Sequence, residues 1–123
     1  MRRGRSVIVK VRVDMDAFEL TQLFAERERS GQPYLEFLRV DSLSAGLYVL
    51  HADGVDRQQP HTEDEVYYVA NGRGAIVVAG ESRSVAAGSV VFVKAGVEHR
   101  FHSIEEELVI LVFFAPAEGR NAG

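Results

Sequence analysis

The stretch HTEDEVYYVANG, residues 61–72, decides how this chain is interpreted. His61 and Glu65 are both metal-ligand residue types, and they stand just before and at the start of an apolar run. Tyr67 and Val69 share the parity of Glu65, so a strand would place these three side chains on one face. The stretch therefore predicts a strand that brings an acid into a mainly apolar interior.

A second stretch, GSVVFVKAGVEHRF, spans residues 88–101. His99 follows a turn predicted at Ala95-Gly96, and it begins a strand that places Phe101 on the same face. At the end of the first stretch, Asn71-Gly72 predicts a hairpin with a type I′ turn, because both residues tolerate positive φ. This hairpin would fold the chain back and bring the two stretches together.

Three of these side chains form a set that suits a divalent metal ion. Inside a barrel, His61, Glu65 and His99 could meet, and two imidazoles with one carboxylate can hold iron, manganese, nickel or zinc with positions left open for a substrate. A buried, unpaired Glu65 would cost several kcal/mol, which a metal ion would offset. Gln59 has the same parity as His61 in an extended segment, so its side chain is expected to point the same way.

The rest of the chain downstream of Pro33 favours short antiparallel strands in a sandwich or barrel, with glycines between them. Gly80-Glu81 is expected to close a further hairpin, and Gly88 and Gly96 mark turns. The predicted strands are residues 34–40, 44–51, 65–70, 75–78, 90–93, 100–102 and 107–114.

The N-terminal part differs in pattern. Residues 6–13 alternate valines with charged side chains, which predicts a strand with one buried face. Residues 14–29 change to a helical period, with Asp16 and Glu19 as a capping pair and Gly31 as the stop. An apolar stripe on this helix is expected to cover the outer face of the barrel or a partner subunit: Phe18, Leu20, Leu23 and Phe24.

Length and composition restrict the class of protein. The 123 residues predict one domain, 1–123, with a core barrel at about 34–115 and the N-terminal strand and helix at about 6–30. The absence of cysteine excludes disulfides and zinc–thiolate sites, and the net charge of -4 gives no general attraction to nucleic acid. No apolar run reaches the length of a membrane span, so a soluble, cytoplasmic protein is expected. Residues 118–123 are expected to be disordered.

The first stretch resembles the first motif of the cupin superfamily, which runs glycine, His-x-His, glutamate, glycine. Glu65 and Gly72 have the spacing of that motif, and three residues separate His61 from Glu65. Gly54 lies near the place of the opening glycine, one residue too close to Gln59. Gln59 stands where the family has its first metal-binding histidine.

The second stretch resembles the second cupin motif, which runs glycine, Pro-x-Gly, histidine, asparagine. Gly88, Gly96 and His99 occupy their places, whereas Lys94 replaces the proline and Ser103 the asparagine. The resemblance implies an all-β fold, a double-stranded β-helix or jelly-roll barrel with one N-terminal α-helix. It also implies one divalent metal ion on His61, Glu65 and His99, with Gln59 as the fourth ligand.

Further side chains are candidates for binding a small molecule. Tyr67 and Phe101 share a face with the metal-ligand candidates, and they line either a substrate pocket or an ordinary core. His51 ends a strand and either leans over the site or lies at its rim. His102 should face away from His99, and Glu63 and Asp64 are expected to form a solvated, acidic mouth.

Two functions remain open from the sequence. One is a metal-dependent enzyme that acts on a small molecule, of the dioxygenase or isomerase type that occurs in the family it resembles. The other is a non-catalytic ligand-binding or sensing module, with or without metal. A homodimer is expected in either case, because the strand at residues 6–13 has one apolar face and exposed strand edges pair readily.

Overall fold

The structure, a computed structural model, describes residues 5–7, 14–57 and 60–119, with the backbone alone at 5–7. The described part holds one short helix and seven strands. They are β1 (Arg5–Val7), α1 (Leu20–Ser30), β2 (Tyr34–Val40), β3 (Leu43–Leu50), β4 (Asp64–Val78), β5 (Glu81–Ala86), β6 (Val90–Val93) and β7 (His99–Ala115). The all-β prediction with one N-terminal helix is confirmed.

The strands form one sheet in the order β1-β2-β3-β7-β4-β5, and β6 pairs with β4. All pairs are antiparallel except β1 with β2. In the long β4–β7 ladder, Glu65 pairs with Phe114 at one end and His99 with Val78 at the other. A flat ladder would separate those ends by about 40 Å. The side chains of Glu65 and His99 lie 3.5 Å apart, so the sheet curls into a barrel.

Two clusters of buried side chains lie on opposite faces of the sheet. The inner cluster fills the barrel and includes Tyr67, Phe101 and Phe114. The outer cluster lies under α1, where Leu23 is buried and Phe18 packs edge-on against Phe37 at 4.9 Å between ring centroids. The helix therefore covers the outer face of the barrel, as its apolar stripe predicts, although Leu20 of that stripe is exposed.

The predicted hairpin at Asn71-Gly72 is wrong. β4 runs through both residues, and register shifts on either side of Asn71 mark β-bulges against β7. Gly72 has φ 97°, and a Cβ there would overlap the carbonyl oxygen of Glu107, so glycine is required by close approach of two strands. The pair of residues that suits a turn serves here to bend a continuous strand.

The next hairpin is where the sequence predicts it, with a shift of one residue. Ala79 and Gly80 form the turn, both with positive φ, and Glu81 already belongs to β5. β5 itself is missing from the predicted strands, because only Val85 of its six residues is buried and no alternation results. The predicted strands at 100–102 and 107–114 are parts of one strand, β7.

At the N-terminus the helix is shorter than predicted. It begins at Leu20 with Glu19 as the N-cap residue and no side-chain capping bond, so the predicted Asp16–Glu19 capping pair is wrong. Gly31 ends the helix in the left-handed region, as predicted. Of the predicted strand 6–13, the structure describes residues 6–7, and the rest lies outside the described residues. Within the described residues, the helix lacks the length and apolar character needed to cross a bilayer.

Candidate metal centre

Two hydrogen bonds donated by backbone N–H groups join the turn before β7 to His61 and to Asp64, the first residue of β4. The Gly96 N–H donates to the carbonyl of His61 at 2.7 Å, and the Ala95 N–H donates to the Asp64 carboxylate at 2.8 Å. Gly96 has φ 80°, which allows the tight turn that presents its N–H to His61. The turn that precedes His99 is thereby attached to the loop that carries His61.

The structure brings the three predicted metal-ligand side chains together. One potential ligand atom from each of His61, Glu65 and His99 lies within 4.8 Å of the other two. His99 Nε2 is 3.5 Å from Glu65 Oε2, and the centroids of the two imidazole rings are 6.0 Å apart. The side chains of Glu65 and His99 are completely buried, and that of His61 is 17% exposed. The cluster is therefore inside the barrel, with His61 nearest to solvent.

The orientation of His99 is fixed by polar contacts at both ring nitrogens. Its Nδ1–H donates to the carbonyl of Val97 at 2.9 Å, which leaves the lone pair of the neutral ring on Nε2. The Tyr67 hydroxyl lies 2.9 Å from that Nε2. Burial lowers the pKa of His99, but the contacts with Glu65 and Val97 and the charge of Asp56 raise it above its ordinary value. The site thus favours a positive charge beside Glu65.

Glu65 supplies the test of whether these residues fit a metal ion. Its Oε1 is buried and accepts no hydrogen bond from any residue that the structure describes. An ionised carboxylate in that environment costs several kcal/mol unless a cation or donor satisfies it. Two imidazoles stand at the same place, so the donor set and the unsatisfied oxygen both fit a divalent ion.

His61 is held by contacts from distant parts of the chain. Its ring packs edge-on against Phe114 of β7 at 4.8 Å between centroids. Its Nδ1 lies 3.4 Å from a carboxylate oxygen of Glu118, a residue near the C-terminus. The position of His61 therefore depends on the segment that follows β7.

The predicted disorder of residues 118–123 is wrong at its first two residues, and residues 120–123 lie outside the described residues. Glu118 is only 4% exposed. Its N–H donates to Ser44 Oγ at 2.8 Å, and its carbonyl accepts from Arg39 at 2.6 Å. The Gly119 N–H donates to Glu63 at 3.1 Å. The chain after β7 therefore folds back over the end of the barrel beside His61.

The predicted solvated, acidic mouth is confirmed for Asp64 and wrong for Glu63. Asp64 is exposed, and it stabilises the turn at Ala95. Glu63, in contrast, is 2% exposed, because it turns inward to accept hydrogen bonds from Thr62 and Gly119.

Of the predicted substrate-binding residues, two lie beside the cluster. Tyr67 and Phe101 are fully buried, 5.0 Å apart between ring centroids, and Tyr67 contacts His99. His51 is exposed beyond the end of β3, where its Nδ1–H donates to Glu107 at 2.8 Å, so it does not reach the cluster. His102 faces away from His99 and contacts Ser82, as predicted. Gln59 lies outside the described residues.

Asp56 is a further buried group, and no pattern in the sequence indicates it. Its two carboxylate oxygens accept from the Tyr48 hydroxyl at 2.7 Å and from the Phe101 N–H at 2.8 Å. Burial raises the pKa of Tyr48 far above its ordinary value, and the neighbouring Asp56 raises it further. This carboxylate ties the loop between β3 and β4 to the start of β7, two residues from His99.

The sequence is similar to a known protein family and to a bacterial protein. The sequence model of the Cupin domain family matches residues 46–114. An uncharacterized protein of Streptomyces coelicolor is 53% identical over 104 residues, which are 85% of this chain and 99% of that protein.

Solved structures show the same fold. TT1209 from Thermus thermophilus superposes with a TM-score of 0.71 at 24% identity, covering 84% of this chain and 99% of that one. KdgF from Halomonas sp. superposes with a TM-score of 0.62 at 19% identity, covering 68% of this chain and 76% of that one. At these levels of identity the likeness is one of fold.

Proposed function

This chain belongs to the Cupin domain family, and from that premise we propose that His61, Glu65 and His99 bind one divalent metal ion for work on a small molecule. The observation that supports this most directly is the buried Oε1 of Glu65, which has no partner among the described residues. A cation at the centre of the cluster would satisfy that oxygen and use the lone pairs of both rings.

The ion would supply a Lewis acid or a redox centre with positions open to a ligand. The protein side chains would bind and orient. His99 is fixed with its lone pair on Nε2, and Tyr67 and Phe101 exclude water from one side of the cluster. The Tyr67 hydroxyl lies 2.9 Å from His99 Nε2, and we propose that, when an ion takes the lone pair of that nitrogen, this hydroxyl contacts the bound small molecule. Gln59 is retained as the proposed fourth ligand.

Metal binding is tested on protein purified without chelator and then titrated with manganese, iron(II), nickel and zinc. The wild type is expected to bind one equivalent. Glu65→Gln keeps the size of the side chain but removes its charge, and it should weaken binding strongly. Glu105→Gln is the matched control, because Glu105 is exposed and pairs with Arg73. Failure of the wild type to bind any of the four ions would end the proposal.

A dioxygenase and an isomerase are the two reaction types proposed for the loaded site. The iron-loaded protein should consume oxygen with a phenolic or thiol substrate if it is a dioxygenase. If it is an isomerase, the loaded protein should convert a substrate with no uptake of oxygen. A ligand that binds at the metal and is recovered unchanged would favour the sensing module.

A second candidate is a metal-free ligand-binding module. Two contacts at His99 Nε2 favour this candidate. The Tyr67 hydroxyl lies 2.9 Å from that nitrogen, and the Glu65 carboxylate lies 3.5 Å from it. These contacts satisfy part of the cluster from within the chain. Tyr67→Phe distinguishes the candidates, because it should destabilise a metal-free site but leave one ligand atom more accessible to a metal ion.

We also propose that the chain forms a homodimer. The described part of the first strand, Arg5–Val7, lies at one end of the sheet order and pairs on one side with β2. A strand in that position can extend the sheet into a second copy. Light scattering after gel filtration at micromolar concentration should give twice the mass of one chain, and a single-chain mass would exclude this assembly.

A further inference from the structure

Glu118 and His61 meet although 56 residues separate them in sequence. Glu118 Oε2 lies 3.4 Å from His61 Nδ1, and the glutamate side chain is only 5% exposed. A carboxylate can only accept a hydrogen bond, so this contact favours the ring form that carries its proton on Nδ1. In that form the lone pair of the ring is on Nε2, which is the form a metal ion needs at that nitrogen.

We propose that Glu118 is a positioning residue for His61: it selects the Nδ1–H form of the ring and fixes its rotation toward the centre of the cluster. The role rests on the metal site proposed above. Glu118 is outside the set of three residues whose ligand atoms lie mutually within 4.8 Å, so its place is behind His61 rather than on the ion.

The opposite histidine shows the same arrangement with a different partner. His99 donates its Nδ1–H to the carbonyl of Val97, two residues away, and its Nε2 lies beside Glu65. Glu118 would do for His61 what the Val97 carbonyl does for His99. Two rings with Nδ1 engaged from behind would both direct Nε2 lone pairs to one point, as a shared ion requires.

The C-terminal segment is attached by three hydrogen bonds that do not use the Glu118 carboxylate. The segment is attached through the Glu118 N–H on Ser44, the Glu118 carbonyl on Arg39 and the Gly119 N–H on Glu63. None of these bonds uses the Glu118 side chain. Burial of a carboxylate costs free energy, so its placement against an imidazole indicates a role beyond attachment of the segment.

Ring forms are measured first, on the metal-free protein, by long-range 1H–15N NMR at a pH where imidazoles are neutral. His61 should be mainly in the Nδ1–H form in the wild type. Glu118→Ala should shift His61 to a mixture or to the Nε2–H form, and Glu118→Gln should restore part of the preference, because its amide oxygen still accepts. An unchanged ring form in all three proteins, or a wild-type His61 protonated on Nε2, would overturn the inference.

Zinc affinity is measured next by competition with a chelator of known affinity. Glu118→Ala should weaken zinc binding by about 10- to 100-fold, the usual loss for a partner behind a metal-binding histidine. Glu98→Gln is the control for charge alone, since Glu98 is exposed and adjacent to His99. It should change the affinity by less than about threefold, as expected for an exposed charge. Equal losses in Glu118→Ala and Glu98→Gln would contradict a specific role for Glu118.

Thermal unfolding of each variant shows whether it is folded before either measurement is interpreted, and Glu118→Gln serves if the alanine variant does not fold. The two measurements separate failure of the proposed metal site from failure of the Glu118 role. A wild type that binds no metal ends the proposed function, while the ring form of His61 still tests the contact with Glu118. If the wild type binds zinc and Glu118→Ala binds it equally well, the positioning role of Glu118 is wrong and the proposed metal site stands.

Discussion

The two histidines of the candidate centre are held in opposite ways. His99 has a local partner at Nδ1, the Val97 carbonyl in its own turn, in addition to the Tyr67 hydroxyl at Nε2, and its side chain is completely buried. His61 is supported at long range, by Phe114 of the last strand and by Glu118 beyond it, and it is the more exposed of the two. The Nδ1 atom of His99 is therefore engaged within its own turn, whereas that of His61 is engaged by a residue from beyond the last strand.

This difference predicts how the centre responds to change. Damage near His99 should affect the metal and the barrel together, since that side is also part of the inner core. Damage at Glu118 should affect the metal with smaller effects on folding, because this residue lies beyond the last strand and outside the inner core. Substitutions on each side test that contrast.

The largest effect is expected from the two histidines themselves. His99→Ala should lower metal affinity more than His61→Ala. The loss in His99→Ala should exceed about 100-fold, which is the upper end for residues that contact a metal ligand but not the metal. Water can replace the His61 ring, which is 17% exposed, whereas loss of His99 leaves Glu65 buried without its neighbour. Isothermal titration with zinc measures both.

His102→Ala is the control for these variants, because His102 is on the same strand but contacts Ser82 on the outside of the barrel. It should bind zinc like the wild type. A stronger loss in His61→Ala than in His99→Ala would reverse the contrast between the two sides, and full binding in both would exclude the ligand assignment.

The locally supported side is also the side that the sequence predicts well. Parity places Glu65 with Tyr67 and His99 with Phe101, and burial confirms that each pair faces the barrel interior. The turn at Gly96 is likewise a local feature, since a backbone φ of 80° favours glycine. Short-range rules are sufficient here because one face of each strand is buried.

The remaining features are set by contacts between distant parts of the chain. Asn71-Gly72 suits a turn by itself, but the approach of Glu107 makes it a bulge within β4. Glu63 and Glu118 are polar residues in a loop and near the chain end, and only the folded barrel shows that both are buried. No periodicity marks such positions, because a side chain that turns inward from a loop has no strand neighbour to define its face.

A smaller effect, on stability, is expected at Asp56. This carboxylate supports the His99 side by accepting from the Phe101 N–H and from the Tyr48 hydroxyl. Asp56→Ala should lower the free energy of unfolding by about 3 kcal/mol, since it leaves a buried N–H and a buried hydroxyl without their acceptor. Tyr48→Phe removes only one of these bonds and should cost about 1 kcal/mol. Urea unfolding measures both. A loss in Tyr48→Phe as large as that in Asp56→Ala would show that the hydrogen bond to the Phe101 N–H contributes little.

The smallest effect is expected on the His61 side, at Ser44. Its hydroxyl accepts from the Glu118 N–H, one of three bonds that attach the C-terminal segment, so Ser44→Ala should cost about 1 kcal/mol or less. Amide exchange at Glu118 should become faster while exchange at Phe101 is unchanged, because the inner core does not depend on this bond. Ser82→Ala, which removes an exposed hydroxyl on the outside, should change neither amide. Faster exchange at both amides in Ser44→Ala would mean that the two sides open together, and that the fold does not separate a locally built half of the centre from a distantly supported one.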